Sequence, residues 1–250
     1  MNGEATGTLT KTAVLIAVVL TGWQVLYWVV GDVAVRGPVD TIVHTGHLLA
    51  TGELNVHLLE TGTAFAWALV LAVGIGLAIG LVLGYNQFAA DVFEPVLVAV
   101  YSIPKIALYP ILLLTFGLGI SAKIAFGTIH GVIPIALFTI NAVRNVRPVL
   151  IKAARVMRLT NVQLARDVLM PAALPEVFTG LRIGFALTLI GTLLGEMFAS
   201  QRGLGYLLMT AIGLHKIELI MALTLLLVVF AVGASSVLLY FDRRLRARYS

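Results

Sequence analysis

The stretch "KAARVMRLTNVQLARDVLMPAALP", Lys152 to Pro175, is basic, amphipathic and punctuated by two prolines, in a chain that is otherwise overwhelmingly apolar. Across 250 residues, 60% are hydrophobic and 12% charged, and the mean hydropathy is +1.01. Soluble domains carry roughly 25% charged residues. The composition is that of an integral membrane protein, and the question is why it interrupts itself at Lys152. With no cysteine in the chain, disulfide frameworks and thiolate chemistry are excluded.

Moving outward from this stretch, the apolar runs are long enough to cross a hydrocarbon core of about 30 Å, which takes about 20 residues of helix. They predict an all-α membrane protein with about six spans, at roughly 13–31, 63–84, 92–116, 122–142, 179–198 and 218–241. The first run exceeds the usual apolar stretch of a secretory signal and has no small-x-small cleavage site after it, so it is read as a span. In the third, Pro104 and Pro110 each remove a backbone N–H, which predicts a break or kink. Residues 1–250 read as a single membrane domain with a loop at about 144–177. The segment between the first two spans reads as an outer loop with one or two short interfacial helices.

Excess lysine and arginine marks the cytoplasmic side. With the N-terminus inside, twelve fall inside (Lys11, Arg144, Arg147, Lys152, Arg155, Arg158, Arg166, Arg182, Arg243, Arg244, Arg246 and Arg248) and four outside (Arg36, Lys123, Arg202 and Lys216). Both termini and the opening stretch are therefore expected in the cytoplasm. The pI near 9.7 then follows from topology and anionic lipid, with no nucleic-acid partner needed.

Small residues recur four apart at Gly76, Gly80 and Gly84, at Gly180 and Gly184, and at Gly191 and Gly195. Such spacing lets helices approach closely in lipid, either as fixed packing or as a sliding surface. Polar groups inside spans are expensive and so stand as functional candidates. Lys105 either caps carbonyls freed at Pro104 or faces a cavity and attracts an anion; His130 reads as a neutral imidazole bonded to a neighbouring helix, and Glu196 as an interfacial carboxylate. Tyr101, Lys105, His130 and Asn141 are the expected polar lining of a translocation path. Neither a G-x-S-x-G elbow, an H-E-x-x-H pair nor a G-x-x-x-x-G-K-[ST] phosphate loop occurs, and the "GLG" at Gly203 is a bare turn signal. No catalytic, metal or cofactor site is expected in this chain, and any ATP must be bound by another subunit.

Within the opening stretch, Leu150, Ala153, Ala154 and Met157 follow i, i+3, i+4, i+7, giving a short helix with Lys152 and Arg155 on its other side. Thr160 stands three before Gln163, a capping box for a second short helix with Val162, Ala165 and Val168 as its apolar stripe. Pro171 is expected to stop that helix. A turn at Arg158 to Thr160 joins the two.

These residues resemble the E-A-A-x3-G-x9-I-x-L-P loop of permease subunits of binding-protein-dependent ABC importers, with Ala153, Ala154 and Pro171 in register. The wording of "YSIPKIALYPILLLTFGLGISAKI", "PAALPEVFTGLRIGF" and "GEMFASQRGLGYL" is similar to the branch serving nitrate, taurine and alkanesulfonates, and the likeness covers most of the chain from about residue 60 on. Lys152 replaces the family glutamate, Arg158 its glycine, and Val168 and Met170 the usual Ile and Leu. The glycine position implies a left-handed backbone, which a side chain adopts at a cost of about 1 kcal/mol.

The resemblance implies a type I importer fold in a bacterial or archaeal inner membrane, with two permease copies forming a homodimer. It also implies two ATPase subunits that carry ATP and Mg, and an extracytoplasmic binding protein that delivers a small solute, with anions among the candidates. Lys152, Ala153, Ala154, Arg155, Met157, Arg158, Leu159, Thr160, Asn161 and Gln163 would dock the ATPase. An autonomous secondary transporter or channel, whose basic loop only anchors lipid, remains the alternative, with Lys105, His130 or Glu196 as coupling residue.

Overall fold

The structure is a computed structural model that describes residues 2–160, 163–198 and 200–249, and gives the backbone alone for residues 2–9, 155, 165 and 247–249. Among the described residues ten α-helices run in order: α1 (Asn2–Val30), α2 (Pro38–Thr51), α3 (Asn55–Tyr85), α4 (Gln87–Ser102), α5 (Tyr109–Phe116), α6 (Ile120–Arg144), α7 (Pro148–Val156), α8 (Met170–Phe198), α9 (Leu204–Gly213) and α10 (Ile217–Tyr249). Five stretches are long and apolar enough to cross a membrane, and six if α4 and the Lys105–Phe116 segment form one bent span. Five of the six expected spans coincide with these stretches, and the third expected span coincides with the bent pair. The bend is 85°, and its cause is Pro104. Ile103 before it is extended, as the residue preceding a proline prefers, whereas Pro110 sits in the first turn of α5, where a missing N–H costs nothing.

The chain divides into two compact units. The first comprises residues 1–55 and 207–230. Within it, α2 begins with Pro38 after an extended Gly37 and ends at Gly52 in the left-handed region, a start and stop written in the sequence. One short helix forms in this segment, because Leu58 and Leu59 belong to the first turns of α3. Trp23 of α1 donates its indole N–H to the Arg36 carbonyl at 2.9 Å, and Arg36 is paired with Asp32 and Glu218.

The second unit comprises residues 56–206 and 231–250, and α6 is its centre. On one side α3 runs parallel to α6 at a constant offset: Cβ atoms built at Gly76, Gly80 and Gly84 would meet Ile135, Thr139 and Val143, the first at 2.8 Å. On the other side α8 runs antiparallel, with Gly131 under Thr188, Gly127 under Thr192, and Gly180 and Gly184 under Phe138 and Ile135. Each glycine is a notch for side chains of the neighbouring helices, the close approach that such spacing allows. The Thr139 and Thr192 hydroxyls are satisfied by donating to carbonyls four residues back in their own helices, Ile135 and Thr188.

Candidate functional site

At the α7 end of the second unit, Pro148 opens α7 and the helix lasts nine residues. It ends at Arg158, whose φ is +55°. The Leu159 N–H then donates to the Ala154 carbonyl at 3.1 Å, and the Met157 N–H to Ala153 at 3.0 Å. This is the six-to-one bond of a left-handed helix stop, usually built on glycine. The turn that the sequence pattern demands is therefore made, with arginine in the strained position.

The predicted apolar stripe divides in two. Ala154 is buried, and Ile151 packs with Leu169 and Val177 against Ala142, Val146 and Ala173, which fastens α7 to the ends of α6 and α8. Leu150, Ala153 and Met157 face outward with Val149 and Val156; Val156 is 84% and Met157 72% exposed. Lys152 and Arg158 are exposed beside them and Leu159 is half-buried. Asn161 and Val162 lie outside the described residues, as do the side chains of Arg155 and Ala165.

The capping box forms: the Thr160 N–H donates to Gln163 Oε1 at 2.9 Å, and the Gln163 N–H to Thr160 Oγ1 at 3.3 Å. What it opens is different from the expected short helix ended at Pro171. A π-helical turn, Leu164–Leu169, leads directly into α8, and Pro171 and Pro175 lie within the continuing helix. Proline cannot donate and its ring crowds the carbonyl four residues back. A wide turn immediately before Pro171 relieves that crowding without ending the helix.

Two ion clusters root this end. Arg144 of α6 donates to Asp91 at 2.7 Å and to Glu94 at 2.9 Å, both on α4. Arg246 of α10 bonds Thr179 of α8 at 2.6 Å and Asp242 at 3.3 Å. These bonds tie α6 to α4 and α10 to α8 at the end of the unit where α7 lies.

Of the four expected path residues, two are in direct contact. Tyr101 and Lys105 meet: the ammonium donates to the Tyr101 carbonyl at 3.0 Å and lies 4.5 Å from its ring centroid, so Lys105 does cap a carbonyl at the proline break. His130 sits between Phe126 and Gly191 and bonds the Phe126 carbonyl of its own helix at 2.9 Å, not a neighbouring helix among the described residues. Asn141 lines a separate cavity with Glu94 and Arg144.

Glu196 is a correction of another kind, because it is fully buried. Its carboxylate accepts from Thr61 Oγ1 at 2.9 Å and from the Gly205 N–H at 2.9 Å, and Thr61 Oγ1 in turn accepts from the Leu204 N–H at 2.8 Å. Beside it the nearly buried Lys123 donates to Glu60 and to the Arg202 carbonyl, each at 2.8 Å. The "GLG" is therefore a carboxylate-bound turn. Gly203 has φ +117°, and a Cβ there would strike the Glu196 carboxyl. A glutamate seven residues before such a turn was the available signal.

Residues 62–248 match the family described as binding-protein-dependent transport system inner membrane component. SsuC of Bacillus subtilis (strain 168), a protein named for aliphatic sulfonate transport, is 30% identical over 80% of this chain and 74% of its own length. The nitrate import permease protein NrtB of Synechocystis sp. (strain ATCC 27184 / PCC 6803 / Kazusa) is 29% identical over 85% of this chain and 81% of its own. Among solved structures, an inward facing MetNI methionine ABC transporter superposes with a TM-score of 0.65 at 23% identity, covering 78% of this chain and 95% of its own, which shows the shared fold. An amino acid ABC transporter superposes at 0.63 and 19% identity, covering 80% and 97%. The chain belongs to the binding-protein-dependent inner membrane component family and is the multi-pass permease subunit of an ABC importer, with the type I importer fold.

Proposed function

We propose that this permease, acting as one domain and as a homodimer, imports a small anion handed to it by an extracytoplasmic binding protein. Two cytoplasmic ATPase subunits drive it through the segment from Lys152 to Pro171. The observation that carries this reading is the tip of α7, where Val156 and Met157 stand exposed on a helix that is clamped from behind by Ile151 and Ala154. Covering each such side chain is worth about 1.5–3 kcal/mol, and the rooted loop can pass a push onward. Lys152 and Arg158 give the tip a basic rim, suited to an acidic groove on the ATPase. In this reading ATP and Mg reside on the ATPase, the permease itself is not catalytic, and both termini and α7 face the cytoplasm of a cell-membrane protein. The names of the sulfonate and nitrate relatives favour an anionic solute.

Arg158→Glu in the assembled importer tests the reading. Uptake per ATP hydrolysed should fall at least tenfold while the isolated permease hydrolyses none. Uptake by the permease alone, driven by an ion gradient, would overturn it.

A further inference from the structure

A second cavity of about 600 Å³ opens in the second unit between the end of α4, the middle of α8 and the second half of α10, lined by Tyr101, Arg182, Leu187, Val232, Ser235 and Ser236 among others. Arg182 lies on α8 three residues past Thr179, level with Asp242 and Arg246 of α10. A charged side chain on a spanning helix normally has a dedicated partner. Here the partner is shared. Asp242, itself nearly buried, is 3.8 Å from Arg182, beyond hydrogen-bond distance, and 3.3 Å from Arg246. One carboxylate thus faces two guanidiniums, and Arg182 donates no hydrogen bond among the described residues.

Other unmet groups face the same space. The Ser235 and Ser236 hydroxyls have no hydrogen-bond partner among the described residues, and the Tyr101 ring at the rim carries the Lys105 ammonium over its face. The rest of the wall is aliphatic. A planar guanidinium with free donors and two hydroxyls match an oxyanion, and the aliphatic wall matches a short apolar body attached to it.

We propose that this cavity is a binding site for a small organic oxyanion, with Arg182 as its principal ligand and Ser235 and Ser236 as auxiliary donors. The assignment rests on the reading of the solute as a small anion and gives that anion a place in the second unit. The same chemistry would also accept a lipid phosphate, and the experiment separates the two sources.

The full chain in phosphatidylcholine nanodiscs is titrated with butanesulfonate at constant ionic strength while its unfolding temperature is followed. Wild type should show a saturable rise. Arg182→Gln should raise the half-saturating concentration about ten- to hundredfold, as loss of a charge-assisted hydrogen-bonded contact does. Arg182→Lys and the double variant Ser235→Ala/Ser236→Ala, which spare the fold, should raise it several-fold. Asp242→Asn, which removes the competing carboxylate, should lower it. A purely structural Arg182 predicts no change of half-saturation in any of these.

In nanodiscs containing phosphatidylglycerol, an Arg182-dependent rise without butanesulfonate identifies lipid as the occupant and leaves the oxyanion site standing. No response of wild type to either probe, or the same response in wild type, Arg182→Lys and the double serine variant, overturns it. Uptake by the complete importer separates the two claims. If wild type takes up no oxyanion while titration still requires Arg182, the import reading fails and the site stands. If oxyanion uptake is normal in Arg182→Lys and its titration unchanged, the site fails and the import reading stands.

Discussion

The second unit solves the problem of polar and small residues in two contrasting ways. Along α6, and in the turn around Glu196, nearly every group is met: glycines accept opposing side chains, the Glu196 carboxylate accepts from Thr61 and Gly205, and Lys123 has two acceptors. At the tip of α7 two apolar side chains stand outside any core and an arginine holds a glycine's backbone conformation. In the proposed reading the first region fixes the body that moves, and the second is the surface through which the ATPase moves it. Stability and coupling therefore live in different residues, and substitutions should separate them.

The largest effect belongs to the packed region. Gly131→Leu would drive a side chain into Thr188 and into Ala72, whose Cβ already lies 2.9 Å from a Cβ built at that position. Overpacking costs about 1–3 kcal/mol and more where backbone must shift, so size-exclusion chromatography should show little folded protein. Glu196→Ala should come next. It leaves the Thr61 hydroxyl and the Gly205 N–H buried without their acceptor, at about 1–3 kcal/mol each, which lowers the unfolding temperature while the surviving protein keeps its uptake per ATP.

Met157→Asp should do the reverse. Its unfolding temperature should stay near wild type, since exposed positions change stability by about 0.5 kcal/mol or less. Binding of the ATPase should weaken about tenfold or more, as burying a charge at an interface does. The smallest effects lie in the turn itself: Thr160→Ala removes the reciprocal cap at a cost of about 1 kcal/mol, whereas Arg158→Gly relieves the left-handed strain and gains up to about 1 kcal/mol. Thermal unfolding of the two single variants measures both, and equal shifts of the same sign would refute the assignment of strain to Arg158.

Much of this division can be read from residues alone. Apolar length places the spans, Pro104 places the bend, Thr160 and Gln163 place the cap, and Arg158 in the glycine position foretells φ +55°. These are local effects, decided within a few residues. What sequence reading misses is decided across helices. Glu196 near the end of a span looks interfacial until Thr61, 135 positions away, is brought against it. Pro171 looks like a stop until the π turn before it absorbs the clash. The stripe Leu150, Ala153, Ala154 and Met157 looks like one buried face, and only the ends of α6 and α8 determine that Ala154 turns inward while Met157 remains outside.

The central claim is that the ATPase drives this permease at the exposed tip of α7, and a single cysteine tests it most directly because the chain has none of its own. Met157→Cys, labelled with a maleimide photocrosslinker in the assembled importer, should crosslink to the ATPase subunit, in a yield that changes when ATP is added. Leu118→Cys, exposed in the loop before α6 at the opposite end of the second unit, should not. Efficient crosslinking of the ATPase at position 118 with none at 157 would contradict the account.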